Sequence, residues 1–278
     1  MSYTLVETCC ASSALTLHLL GARKSLMPYQ GSKWKLRRAL AEQAERLGFS
    51  GPPSHVVLTD PGPWGEAIGV VLDREKRARL LEELRKMDAM NPSYIYASLH
   101  GAPVPESDAV IFAAQFLFLQ RLAFSGKAVG IKSGRWSSPG FNRTNAYGTP
   151  ATDRFGRVRP MIPSLIRTLE SYASMAEVNV TSSRASATPL THVTGPTLVY
   201  VDPPYEGSTG YPNGTMGRVE VVSLAQACQE AGAAVMISEQ HGLDIPGWDR
   251  VELTPEKGHD SSFRGKQAEW LTCARGWV

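Results

Sequence analysis

Nine residues, Thr197 to Tyr205, constrain this chain most: TLVYVDPPY. Leu198 to Val201 are strand-forming and apolar, and they run directly into an acid, two prolines and an aromatic ring, the pattern of a buried strand that stops at its carboxyl end. Proline donates no ladder hydrogen bond, so Pro203 and Pro204 end the pairing and leave Asp202 and Tyr205 at the rim of a sheet. In an open α/β sheet, ligands bind outside that rim.

Two further units repeat the strand-to-acid pattern. Tyr3 to Gly21 opens with a short apolar run ending at Glu7, passes through small residues and closes in a leucine-rich stretch, which reads as strand, tight loop, helix. Ser54 to Asp60 follows a Gly-Pro-Pro loop and again ends on an acid. An acid closing the second strand of such a sheet suits the hydroxyls of a bound cofactor's ribose. Asp73 to Met87 reads as a charged amphipathic helix, and Asp108 to Phe124 as an apolar core helix capped by Ser107. A helix over Pro163 to Ala176, a strand over Ala176 to Thr181, a helix near Val222 to Ala231 and a buried strand over Ala234 to Ser238 continue the alternation. Arg250 to Leu253 and Glu269 to Ala274 read as a closing antiparallel pair.

At 278 residues the chain is long enough for one α/β domain with an insertion. No apolar run reaches the roughly 18 residues of a membrane span, and no cleavable leader is evident. Cys9, Cys10, Cys228 and Cys273 show no metal-ligand spacing, so reduced thiols in a cytosol and no metal are expected. The net charge of +3 is unevenly spread: residues 121 to 159 hold eight Lys or Arg against the single acid Asp153, leaving the rest net negative. Aromatics and glycines are interleaved with these cations, which suits a hairpin and loops against a phosphate backbone.

The DPPY tetrapeptide behind an apolar strand resembles that of the Dam-type DNA adenine-N6 methyltransferases. Adenine's amino lone pair is delocalised into the ring, so the resemblance implies that Asp202 and the Pro203 carbonyl accept the two N6 hydrogens and turn the lone pair towards the methyl group of S-adenosylmethionine. Pro204 stiffens the turn, and Tyr205 stacks on a base rotated out of the duplex. Glu7 to Ser13 is similar to the first motif of these enzymes, an acid followed by Pro-Phe-x-Gly-x-Gly, with Ala11 and Ser13 where glycines are usual. A left-handed backbone is harder to adopt there without glycine. Met27 to Leu40 resembles the family's Trp-x-Gly-Gly-Lys segment through Tyr29, Gly31 and Lys33, although it follows the first motif where the family usually places it before.

The implied cofactor set is thus Glu7, Cys9, Ala11, Ser13, Tyr29, Gly31, Lys33, Asp60 and Asp202. The Phe124 to Asn142 passage resembles the family's DNA-facing insert. It implies contacts to double-stranded DNA from Lys127, Lys132, Arg135, Trp136, Asn142, Arg143 and Arg154. Ser182, Ser183 and Arg184 stand where the family usually has an acid against the cofactor's adenine. The expected architecture is an α/β fold, a Rossmann-like seven-stranded methyltransferase sheet formed by residues 1–89 and 159–278, with an inserted DNA-recognition region over 90–158. Two alternatives stand beside adenine-N6 methylation of DNA. One is methylation of another amino nitrogen, in cytosine or RNA adenine; the other is a non-catalytic nucleic-acid-binding protein that keeps the fold.

Overall fold

The computed structural model describes residues 2–27, 32–123, 127–141, 161–184, 189–204, 216–253 and 269–276. Strand β1 (Thr4–Thr8) leads into helix α1 (Ala14–Leu19), a 3-10 turn (Lys33–Leu36) and α2 (Arg37–Arg46). Strand β2 (His55–Thr59) leads into α3 (Trp64–Leu72), α4 (Arg74–Asp88), α5 (Pro92–Leu99) and α6 (Ala109–Leu122). A hairpin of β3 (Gly130–Lys132) and β4 (Arg135–Ser137) precedes α7 (Met161–Ser171) and β5 (Asn179–Ser183). Then come β6 (Thr197–Val201), α8 (Arg218–Glu230), β7 (Ala234–Glu239), β8 (Asp249–Leu253) and β9 (Glu269–Ala274).

The main sheet has seven strands in the order β5-β2-β1-β6-β7-β9-β8. Its neighbours are parallel except at β9, which lies antiparallel to both β7 and β8. This is a Rossmann-like seven-stranded α/β sheet, as expected. The expected closing antiparallel pair is present, with β9 inserted between β7 and β8 rather than appended at the edge.

Side-chain alternation sorts the sheet into two cores, because successive strand residues face opposite sides. Leu5, Val56, Leu58, Leu198, Tyr200 and Met236 pack beneath α1 to α4, α6 and α7. Val6, Val57, Val199, Val201, Val235 and Ile237 face the other way, against α8 and the Leu243 to Ile245 segment. Strand β6 is buried at all five positions, as a central parallel strand covered on both faces must be.

Several boundaries differ from the expectation. Asp108, not Ser107, caps α6, because its carboxylate accepts the Val110 and Ile111 amides at 2.8 and 3.2 Å. Strand β5 starts later than expected and extends to Ser183, where Thr181, Ser182 and Ser183 pair with Val57, Leu58 and Thr59. Within the 90–158 region, α6 and Trp136 belong to the same core as Leu5 and Leu58. No helix among the described residues is long and apolar enough to cross a membrane.

Candidate active site

Strands β1 and β6 are neighbours, yet the chain leaves β1 towards β2 and leaves β6 towards β7. That divergence opens a crevice at the carboxyl ends of the two strands. The loop after β1 and the Asp-Pro-Pro turn after β6 meet there. The Asp202 amide donates to the Thr8 carbonyl at 3.2 Å, which carries the ladder one residue past β6 and seats Asp202 beside Cys9.

Asp202 is anchored through one oxygen. Its Oδ1 accepts the Ser238 hydroxyl at 2.7 Å and lies 3.0 Å from the Lys33 ammonium. Ser238, near the end of β7, also shares a hydrogen bond with the Tyr200 hydroxyl at 3.0 Å. Among the described residues nothing bonds to Oδ2, and the Asp202 side chain keeps 11% exposure. The carboxylate is therefore fixed in rotation with one acceptor oxygen left over. Lys33 also reaches Glu269 Oε1 at 3.4 Å, from the first residue of β9.

The loop after β1 adopts the conformation its sequence made costly. Cys9, Ala11 and Ser13 have φ of 54°, 38° and 46°, the left-handed region that glycine enters without penalty. Asp60, just past β2, stabilises that path: Oδ2 accepts the Ala11 amide at 3.1 Å and Oδ1 the Gly62 amide at 2.7 Å. Ser12 donates to Ser32 at 2.9 Å and so ties the loop to the segment that carries Lys33. At Gly65 on α3, an added Cβ would sit 3.0 Å from the Ser183 carbonyl and 3.3 Å from that of Leu58, so only glycine lets α3 approach this rim.

Burial tunes the surrounding acids. Glu7 is fully buried and pushed up to about 8 by desolvation, partly offset by two hydrogen bonds to its Oε2 from the Thr16 amide and hydroxyl. It is a neutral acid bracing β1 against α1 at pH 7. Desolvation also lifts Asp60 to about 6 and Glu239, at the end of β7, to about 7, with Asp202's charge adding to both. Burial raises Cys9 to about 12, so it is a thiol.

Of the residues implied by sequence, the structure brings Glu7, Cys9, Ala11, Ser13, Lys33, Asp60, Asp202, Pro203 and Pro204 to this rim. Tyr29, Gly31, Tyr205, Asn142, Arg143 and Arg154 lie outside the described residues. Ser238, Glu269 and Tyr200 join the site unforeseen, because each reads in sequence as an ordinary strand residue. Arg184, at the end of β5, pairs with Glu66 at 3.0 Å and stacks over Phe112 at 5.1 Å. A cleft of about 640 Å³ runs instead along β5 and the start of α4, among charges of both signs.

The basic hairpin divides into two parts. Lys127, Lys132 and Arg135 are exposed, and Lys132 faces Arg135 across a Ser133-Gly134 turn with both φ positive. Trp136 corrects the sequence reading: it is only 1% exposed, donates its indole N–H to Gln115 at 2.8 Å and lies against Phe112 and Phe116. It anchors the hairpin to α6 and is not available to nucleic acid. Gln120 completes the attachment, donating to the Lys127 carbonyl at 3.0 Å and accepting the Val129 amide at 2.9 Å.

No family model and no curated protein matches the chain. Among solved structures it is similar to the rRNA methyltransferase AviRa from Streptomyces viridochromogenes, at 12% identity and a TM-score of 0.38, over 98% of this chain and 76% of that one.

Proposed function

We propose that this chain transfers a methyl group from S-adenosylmethionine to the N6 amino group of an adenine in DNA. The observation that carries the reading is Asp202: a carboxylate at the β1/β6 crevice, fastened through Oδ1 by Lys33 and Ser238, with Oδ2 unengaged among the described residues. With Oδ1 held by two contacts, the second oxygen is an acceptor kept in place for an amino hydrogen.

The rim residues fit a sulfonium donor. The loop from Cys9 to Ser13 takes left-handed φ at three positions, a backbone suited to the close approach of a cofactor although it has no glycine, and Asp60 keeps it there. Each Asp60 oxygen has one lone pair beyond its amide contact, enough to accept ribose hydroxyls. Glu7 braces the strand beneath and meets no solvent. When bound, the donor supplies an electrophilic methyl group.

Asp202 accepts one amino hydrogen at Oδ2, and the Pro203 carbonyl supports the second acceptance implied by the family resemblance. Drawing on these hydrogens localises the nitrogen lone pair towards the methyl carbon. The nitrogen–carbon bond forms as the sulfur–carbon bond breaks, and the cationic nitrogen then loses a proton. The Asp202 carboxylate stabilises the charge that develops there. Lys127, Lys132 and Arg135 are placed to neutralise phosphates, which supports a nucleic-acid substrate.

Incubation with methyl-labelled S-adenosylmethionine and either unmethylated DNA or RNA, followed by nucleoside analysis, tests the reading. N6-methyladenine from DNA is expected. Label in N4-methylcytosine, or only in RNA, reassigns the substrate, and label in neither removes the activity.

A further inference from the structure

We infer that Glu269 is a positioning residue: it holds the Lys33 ammonium on Oδ1 of Asp202 and thereby sets which carboxylate oxygen faces the substrate. The inference rests on the methyl-transfer reading and names a residue outside the resemblance that led to it. Lys33, Asp202 and Glu269 have side chains only 9%, 11% and 16% exposed, so their charges meet in a largely dry setting. A lysine carries four rotatable side-chain bonds, and immobilising it costs rotamer freedom. Among the described residues the ammonium lies between two carboxylates, Asp202 at 3.0 Å and Glu269 at 3.4 Å, and the second restricts its movement about the first.

Topology explains how so distant a residue arrives. Strand β9 runs antiparallel, with Trp270 opposite Glu239 and Glu269 opposite Leu253, so its first residue lies at the rim where the parallel strands end. The inserted strand therefore delivers a carboxylate to the crevice opened by β1 and β6. Other titratable groups face Asp202 from Glu7 on β1, Cys9 and Asp60 on the adjoining loops, Tyr200 on β6 and Glu239 on β7. Lys33 brings a cation in among them at Asp202, and Arg218 acts as a second beside Glu239. With Glu269 the triad carries one net negative charge, which favours the positive charge that grows on the substrate nitrogen.

Two readouts test this, one of them independent of activity. With 15N-lysine labelling, the Lys33 ammonium, assigned by its loss in Lys33→Met, is expected as a slowly exchanging resonance in the wild type. It is expected to vanish in Glu269→Ala and to persist in Ser238→Ala. In kinetics, Glu269→Ala is expected to lower kcat about tenfold while KM for the donor changes less than about twofold. Glu269→Gln, which keeps the volume and an acceptor, is expected to lose only about threefold. The double variant with Lys33→Met is expected to be no slower than Lys33→Met alone within about twofold, because both act through one ammonium. An ammonium resonance unchanged in Glu269→Ala, or effects that multiply in the double variant, overturns the inference. If the wild type transfers no methyl group, the resonance alone decides the pairing, and only the methyl-transfer reading falls.

Discussion

Asp60 accepts the backbone N–H of Ala11 at 3.1 Å, so the acid that closes β2 holds the loop that follows β1. The contact crosses between two sequence segments, and it lies where three non-glycine residues take left-handed backbone conformations. The loop after β1 and the end of β2 are thus joined at one carboxylate.

Ala11→Gly should relieve part of that strain. A left-handed alanine costs about 1–2 kcal/mol, partly offset by the greater unfolded-state freedom of glycine, so a gain of roughly 0.5–1 kcal/mol in stability is expected. Urea unfolding measures it, and a loss of stability would mean that the loop does not take this path in solution.

Glu7 predicts the pH dependence of stability. Its folded-state value of about 8 lies above its ordinary value of 4.5, so the native state keeps a proton that the unfolded chain releases. Glu7 therefore weakens the fold as pH rises from about 4.5 towards about 8, with a slope of up to about 1.4 kcal/mol per pH unit from this one group. Glu7→Gln, which keeps an oxygen for Thr16, should flatten the profile and be more stable than wild type at pH 8. Parallel profiles for the two proteins would contradict the buried neutral acid.

The hairpin should separate stability from nucleic-acid binding. Trp136→Ala removes a fully packed indole and its bond to Gln115, for an expected cost of about 3–5 kcal/mol. Lys132→Ala and Arg135→Ala lie on the surface and should change stability by no more than about 0.5 kcal/mol. Each should weaken DNA binding similarly across sequences and lower the salt-dependence slope by about one unit, if it contacts a phosphate. Binding unaffected by both substitutions would move the interface elsewhere.

Ser238→Ala removes one of the two contacts that fix Oδ1 of Asp202. About a tenfold fall in kcat with donor affinity retained is expected, since the lost interaction orients the acceptor and leaves the cradle intact. A fall confined to donor affinity would assign Ser238 to cofactor binding.

Local patterns made the frame legible. The apolar run Leu198 to Val201 followed by Asp202 and two prolines marked the central strand and its rim, and Glu7 near the end of β1 and Asp60 just past β2 marked two more strand ends. Lys33, singled out by family resemblance, does reach Asp202. What stayed hidden depends on contacts between distant segments. Ser238 and Glu269 acquire their place from the order of β7, β9 and β8, which no local periodicity encodes. Trp136 sits among glycines, serines and cations and so reads as surface, although the hairpin turns it inward onto α6. The left-handed loop was unexpected because propensity argues against it, and the Asp60 bond that supports it comes from another strand.

Asp202→Ala tests the central claim most directly. Wild type and variant are each incubated with labelled S-adenosylmethionine and unmethylated DNA, the nucleosides are analysed, and donor affinity is measured by calorimetry. The expected result is N6-methyladenine from the wild type alone, with the donor Kd of the two proteins within about threefold of each other. N6-methyladenine formed by Asp202→Ala at the wild-type rate would contradict the assignment of the reaction to this carboxylate.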